Sequence, residues 1–501
     1  MTLWLLGDQL HLPTVLDLDL EHVLLIEANA VGQRRRYHPQ KLTLVLSAMR
    51  HFAADLRAHD IQVSYLQAPT FEAGLREYAT AVDAPEIVGF EHPSAGIDAR
   101  RTAVVDAVGG SLELITSPLY LSTREQFDAW AGPHEPGRRY RQEQWYRHIR
   151  EETGILMDGT DPVGGSWNYD AQNRETPPAE WIPPVAPRYP PDALTEAVAE
   201  EVQHEYPQTW GAAAPFGWPV TRTDALDALE QFITRRLPEF GRYQDAMVDE
   251  EWALAHSLLS MSINIGLLHP REVVDRAVAA YEAEAAPINA VEGFVRQLVG
   301  WREFMRHVYR RAMPQLATAN QLEQQRSLPP LYWDGDTDMR CLEQAVGHVY
   351  DRGYAHHIER LMVLSNFGML YGAEPAAINE WFHLGFVDAF HWVTTPNVVG
   401  MGSFGTDVLS SKPYAASANY ISKMSDHCGA CQFDPTATTG ADACPFNALY
   451  WNFLDEHEEQ LRATGRMGLM YSHVDRKSGD EWEAIRERAE HVRQKIASGE
   501  L

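Results

Sequence analysis

The sequence predicts an α/β domain built on a parallel sheet, a long linker and an all-α C-terminal domain, divided at 1–125, 126–220 and 221–501. Three observations carry this reading. Apolar, β-rich runs alternate with helix-like segments at the start, regular periodicity fades in the middle, and helical spacing dominates from 221 onward. With 501 residues, 45% of them hydrophobic and 10% aromatic, the chain exceeds what one core usually serves and is well supplied for two.

In the first part, LWLL (3–6), VLLIEA (23–28), QVSYLQ (62–67), EIVGF (86–90) and LELIT (112–116) read as strands, and KLTLVLSAMRHFAADLRAH (41–59) has helical spacing. Alternation of this kind implies parallel strands with helices on both faces. No GxGxxG follows the first strand, so dinucleotide binding of the usual kind is not indicated. Gly7-Asp8-Gln9 stands there instead, a polar turn at the sheet edge where open α/β folds bind ligands. An ordinary turn explains those residues about as well.

From 126 to 220 the periodicity weakens. TPPAEWIPPVAPRYPP (176–191) can be neither a helix nor a central strand, because proline fixes φ and removes a donor, so a linker draped over the surface is expected. Within the same stretch GGSWNYDAQNR (164–174) sets Trp167, Asp170 and Arg174 in a polar loop whose aromatic content exceeds what solubility requires. Long loops often carry function.

The formal charge of -28 opposes nucleic-acid binding on average, since such binders usually carry a basic stripe or patch. Average charge does not decide local potential. Lysine is scarce (Lys41, Lys412, Lys423, Lys477, Lys495), while arginines cluster at 34–36, 138–150 and 296–311. Arg302, Arg306 and Arg310 recur every four residues on one helical face, for which a solvated surface is the plainest reading. The first residues, MTLWLLGDQL, have no basic leader and read as a strand. Other apolar stretches, such as 257–270, fall short of the roughly 20 residues a membrane span needs, so a cytoplasmic protein is expected.

The strongest chemical signal is in the helical half. Cys428-Gly-Ala-Cys431 is followed after twelve residues by Cys444-Pro445, and Cys341 stands 87 residues before Cys428. In a reducing compartment, cysteines are ligands or reactive thiols more often than disulfides. A CxxC pair can bind one metal centre, and Cys-Pro commonly ends an iron–sulfur ligand run. Structural zinc more often uses paired knuckles of short span, which the distant Cys341 fits poorly. A 4Fe-4S cluster is favoured over zinc, and both over unligated core thiols.

With these cysteines stand YQDAM (243–247), HSLLS with NIGLLHP (256–270), RQLVGWREF (296–304), YAHHIERLM (354–362), FVDAF (386–390), PNVVGMGSFG (396–405) and KPY…NYI (412–421). In this order they resemble the iron–sulfur bacterial branch of the cryptochrome and photolyase family, the prokaryotic (6-4) photolyases, over nearly the whole chain. The resemblance implies a Rossmann-like N-terminal domain, an all-α FAD-binding domain, and light-driven repair of (6-4) photoproducts in UV-damaged DNA by a monomer. The alternatives are a cryptochrome-like blue-light photoreceptor of the same fold and an iron–sulfur flavoprotein doing dark redox chemistry. A histidine pair and the 160s loop favour repair, and no nicotinamide site is visible for the third.

By the same resemblance His356 and His357 are the catalytic pair, with His357 nearer the flavin and His356 nearer the lesion. Imidazole suits a proton delivered at neutral pH, although two neighbours on a helix point about 100° apart. Tyr414 and Tyr420 are expected near the lesion. His256, Ser257, Leu258, Leu259 and Ser260 are expected at the flavin pyrophosphate, where hydroxyls and N–H groups at a helix start suit an anion. Arg302, and Arg360 paired with Asp388, are the implied charges beside the flavin, with Tyr243, Gln297 and Asn397 as further contacts. Trp381 and Trp333 are candidates for a photoreduction wire, and Phe382 stands where an oxidisable tyrosine is expected. Gly7, Asp8, Gln9, Glu27, Tyr37 and His38 form the implied site of a 6,7-dimethyl-8-ribityllumazine antenna. Asp170 is a candidate to recruit a divalent cation beside DNA phosphate.

Overall fold

The five apolar runs become β1 (Thr2–Leu5), β2 (His22–Ala28), β3 (Gln62–Ala68), β4 (Glu86–Phe90) and β5 (Ser111–Ile115) in the computed structural model, which describes residues 1–501 except 19, 21, 83, 136 and 137. All pair in parallel, in the order β3-β2-β1-β4-β5. The central β1 is buried along its whole length, and its residues alternate between two covered faces. Leu3 and Leu5 join the core of Leu44, Ala48 and Phe52 from the helix Pro39–Ala58. Trp4 turns the other way, to Leu75 and Tyr78 of the helix Phe71–Ala81 and Val105 of the helix Ile97–Asp106. Strand order reverses at β1, which opens a crevice at the carboxyl ends of β1 and β4. Asp8 and His92 bridge that crevice, Oδ2 to Nε2, at 2.7 Å.

The middle of the chain holds more regular structure than its weak periodicity suggests. Helices cover Arg124–Ala131, Gln142–Thr153 and Ala193–Glu205. Their apolar stripes are only a few residues wide, Trp145, Tyr146 and Ile149 in the second and Val198 and Val202 in the third. Short helices of this kind are held by what they cover, not by their own propensity. The proline-rich stretch 176–191 contains neither helix nor strand. Arg150 fixes the 160s loop from below, its buried guanidinium donating to the carbonyls of Ile155, Leu156 and Trp167.

From Arg222 onward the named elements are helical. The cores do not follow the three-part division of the sequence. One continuous core runs from β1 through Trp145 and Ile149 to Phe232, Val291 and Phe294. A second gathers Leu342, Phe367, Trp381, Phe446 and Phe453. The first helices of the C-terminal half therefore pack as an extension of the sheet domain.

The arginine face read as solvated turns inward instead. Arg302 and Arg306 flank the fully buried Glu303, which also accepts from Ser122 Oγ at 2.7 Å. Both guanidinium groups lie over Tyr120, 4.9 and 4.1 Å from its ring centroid, and Arg310 pairs with Asp128. Burial pushes the Glu303 carboxyl up, and the two arginines outweigh that and hold it below its ordinary value. Glu303→Ala would leave buried cations unpaired. It is expected to cost about 3–5 kcal/mol in urea unfolding, against about 1 kcal/mol for Ser122→Ala.

Candidate functional site

The helical half departs from α geometry at Phe232–Arg236, Arg296–Arg302, Glu359–Ser365 and Pro396–Gly402, which wind as π-helix. A π turn is rare, inserts one residue and re-aims the side chains around it, often at functional sites. Three of the four carry residues singled out in the sequence: Gln297 and Arg302, Arg360, and Asn397. Gln297 and Asn397 each donate an amide N–H one turn back, to the carbonyls of Gly293 and Val393.

Arg360 and Asp388 form a two-pronged ion pair, Nη1–Oδ1 and Nη2–Oδ2 both 3.0 Å. Ser260 donates its hydroxyl to the same carboxylate at 2.6 Å, and Asn264 donates to the Asp388 carbonyl. HSLLS, HHIER and FVDAF thus meet at one carboxylate. The Arg360 guanidinium lies 4.3 Å from the ring of Phe386, and that ring is 5.7 Å from Trp381. Sequence reasoning passed over Lys41. Buried in the helix Pro39–Ala58, it donates Nζ to the carbonyls of His383 and Ala389 at 2.7 Å each and so clamps the chain on both sides of Asp388. Burial brings its pKa down to about 7, with Asp388 working against the fall.

The expected phosphate cradle is narrower than the sequence suggests. The helix that starts at Ser260 ends at Asn264, so it offers little dipole, and the Ser260 hydroxyl is spent on Asp388. What remains is Ser257 and the turn after it, where Leu258 has φ 57°, an uncommon conformation for leucine.

His256 stacks on His356 with ring centroids 4.7 Å apart and planes 12° from parallel. His356 is wholly buried, its Nε2 3.6 Å from Glu359, whose other oxygen bonds His348 Nδ1 at 3.0 Å. His357 keeps exposed surface, yet surrounding protein desolvates its ring. Burial lowers His356 to about 4 against the pull of Glu359. Burial and then Arg360 lower His357 to about 4, and burial with the neighbouring imidazoles drives His256 well down. Three neutral imidazoles therefore stand together at neutral pH. Among the described residues His256 Nε2 and both ring nitrogens of His356 have no hydrogen-bond partner.

Tyr414 is exposed and Tyr420 half-buried. Asp170 and Arg174 bear on the first, Asp245 and Arg174 on the second. The 160s loop therefore meets the KPY…NYI segment. Asp170 is ion-paired with Arg296, so an arginine already supplies the positive charge that the sequence sought from a divalent cation. Asp245 lies 3.7 Å from Arg174, and burial lifts its carboxyl to about 6. Arg302 is packed between Tyr120 and Trp392 and paired with Glu303. It braces the site wall instead of presenting a free charge. Tyr243 is buried against Trp181, ring centroids 4.7 Å apart.

Trp381 is fully buried and donates Nε1 to the carbonyl of Tyr332, while Trp333 is half-buried. Trp210 sits between them, 6.1 Å from Trp381 and 5.3 Å from Trp333 by ring centroid.

Cys341, Cys428, Cys431 and Cys444 line one cavity, walled by Met339, Ile421 and Phe433. Burial, then the other three thiols, push the Cys341 thiol well up, so a cation must be present for all four to ionise together. Among the described residues no three His, Cys, Asp or Glu side chains stand close enough to hold a single metal ion. A cubane cluster binds each thiolate on a different iron and suits a wider set of ligands than one ion does.

The six antenna candidates each have close partners within the protein. Glu27 is held by Arg50, Tyr65 and Gln67. His38 is wholly buried, caps the helix Pro39–Ala58 and bonds the Tyr350 carbonyl, and burial brings it to about 4. Gly7 packs so closely that a Cβ there would stand 2.7 Å from Val45. Gln9 accepts from Leu6 N, Asp8 holds His92, and Tyr37 lies under Lys41.

The sequence profile described as "Deoxyribodipyrimidine photo-lyase-related protein" matches residues 3–218. Over 497 residues the chain is 38% identical to a (6-4) photolyase of Agrobacterium fabrum, covering 97% of both proteins. The chain belongs to the photolyase-related family. Its fold is shared with a bacterial class III photolyase from Agrobacterium tumefaciens, TM-score 0.56 at 16% identity, covering 99% of this chain and 96% of that one. A cryptochrome of Synechocystis sp. PCC6803 also shares it, TM-score 0.62 at 13% identity, covering 99% and 98%.

Several imidazoles of this photolyase-related protein are desolvated by the surrounding chain. His38, His356, His357 and His391 are all brought from 6.5 to about 4, chiefly by burial. Folded pKa values below the unfolded ones mean that the unfolded chain binds more protons, so stability is full above pH 6.5 and is lost as pH falls from 6.5 to 4. The urea midpoint is expected to drop between pH 7.5 and pH 5. A flat profile over that window would show that these rings are not buried as described.

Proposed function

We propose that this protein uses bound FAD and light to repair (6-4) pyrimidine-pyrimidone photoproducts in DNA. The observation that carries the reading is the two-pronged Arg360–Asp388 pair, with Arg360 close enough to His357 to disfavour its charge and the adjacent His356 fully buried. Likeness to a protein named (6-4) photolyase, at 38% identity over nearly the full length, supports it. The residues fit the cofactor. Arg360 and Asp388 would face the flavin ring, Ser257 and the backbone of Leu258 and Leu259 the pyrophosphate, and Tyr243, Gln297 and Asn397 the remainder. The unpaired nitrogens of His256 and His356 are the buried polar atoms that such a group would satisfy. Held there, reduced FAD would supply the light-driven electron for repair.

The chain supplies the proton and the positioning. His357 is neutral in the free protein because burial and Arg360 disfavour its charge. An incoming DNA phosphate would offset the charge of Arg360 and favour the imidazolium, so that lesion binding would help prepare the acid. Glu359 sits between His356 and His348 and orients the ring behind. Tyr414 and Tyr420 offer aromatic surface to the damaged bases, and Arg174, with an exposed side chain, offers charge to the backbone. Cys341, Cys428, Cys431 and Cys444 would hold a 4Fe-4S cluster that cross-links the C-terminal helices. Gly7, Asp8, Gln9, Glu27, Tyr37 and His38 stay candidates for a lumazine antenna, and no part of the reaction depends on them. No helix of the described residues is long and apolar enough to cross a membrane, and action on DNA would suit a cytoplasmic protein.

The test is illumination of anaerobically purified protein with an oligonucleotide carrying one (6-4) thymine lesion, followed by product analysis. Two restored thymines are expected in the light only. His357→Ala should lower the yield by about 100-fold or more with flavin content unchanged, the size of effect general acid catalysis supplies. Bound flavin without restoration would point to a light receptor of the same fold, and absence of flavin would overturn both readings.

A further inference from the structure

The ring of Trp381 has no oxidisable partner in its immediate sequence neighbour, because Phe382 is stacked on Phe386 in a pair of phenyl rings 5.0 Å apart and 7° from parallel. We infer that Trp210 and Tyr350 complete the path by which the flavin is photoreduced, with Tyr350 as its outlet to solvent. This rests on the flavin reading above. Trp210 lies in the stretch between the two domains, outside any helix or strand, and is held there by Nε1 donating to the Trp333 carbonyl at 2.5 Å. Its ring is 6.1 Å from Trp381, 5.3 Å from Trp333 and 5.8 Å from Tyr350, centroid to centroid. It is thus a branch point with two possible outlets.

Charge and exposure choose between them. The Arg36 guanidinium lies 5.0 Å from the Trp333 centroid, and a fixed cation there disfavours positive charge on that indole. Tyr350 is 43% exposed, so its phenol can lose a proton to water as it is oxidised. Each step moves one electron. Trp381 gives one to the light-excited oxidised flavin and becomes an indole radical cation; Trp210 restores Trp381; Tyr350 restores Trp210 and releases its phenolic proton to bulk water. The neutral tyrosyl radical then takes a hydrogen atom from a thiol in solution, and two thiyl radicals join as a disulfide.

The experiment uses the flavin-loaded full chain under blue light with dithiothreitol, comparing wild type, Trp210→Phe and Tyr350→Phe. Trp210→Phe should slow flavin bleaching by at least tenfold while bound flavin, and repair by enzyme reduced beforehand with dithionite, stay at wild-type levels. Tyr350→Phe, at an exposed and foldable position, should abolish the tyrosyl signal in electron paramagnetic resonance and leave a longer-lived tryptophan radical in transient absorption. Wild-type bleaching in Trp210→Phe, or an unchanged tyrosyl signal in Tyr350→Phe, overturns the inference and leaves the repair reading intact. Failure of wild type to bind flavin overturns both.

Discussion

A carboxylate nearly sealed from water must find its counter-charge at close range, and Asp388 finds it in Arg360. The rest of the site follows from that requirement. The pair draws HSLLS in through the Ser260 hydroxyl, sets the position of Phe386 under the guanidinium, and gives Lys41 a reason to be buried close by. Breaking one half of such a pair leaves an uncompensated charge, which typically costs several kcal/mol, so the three segments are held together by a penalty as much as by attraction.

Burial does a second job at the same place. It keeps His256, His356 and His357 uncharged at neutral pH, although Glu359 is near His356. Imidazoles kept neutral by desolvation respond steeply to any new charge, since a change of one unit in pKa needs only about 1.4 kcal/mol. The same logic applies to the four thiols, which share one cavity and can ionise together only around a positive centre.

The charge pattern shows why totals mislead. A chain at -28 still builds cationic walls, because its arginines are drawn into the interior by single carboxylates: Glu303 holds Arg302 and Arg306, Asp128 holds Arg310 and Arg311, and Asp170 holds Arg296. The every-fourth-residue spacing of Arg302, Arg306 and Arg310 was visible in the sequence and its helical face was real. Whether that face met water, DNA or another part of the protein was not, because the partners Ser122 and Asp128 lie about 180 residues away.

Local pattern determined the strands of the sheet, the all-helical second half and the CxxC with its Cys-Pro, while the resemblance of ordered motifs supplied the distant Cys341 and the pairing of Arg360 with Asp388. The first group rests on short-range periodicity or on residues close in the chain. Tertiary structure alone decided the rest. The helices within 126–220 have apolar stripes too narrow to signal themselves and form on the surfaces they cover. The π turns at 296–302, 359–365 and 396–402 carry no residue signature, since the inserted residue is specified by packing. Lys41 clamps a loop almost 350 residues away, and Trp210 links Trp381 to Trp333 from another segment. Sequence reports which side chains can do chemistry; long-range burial decides which are desolvated, paired and aimed at one another, because those energies depend on neighbours that no local window contains.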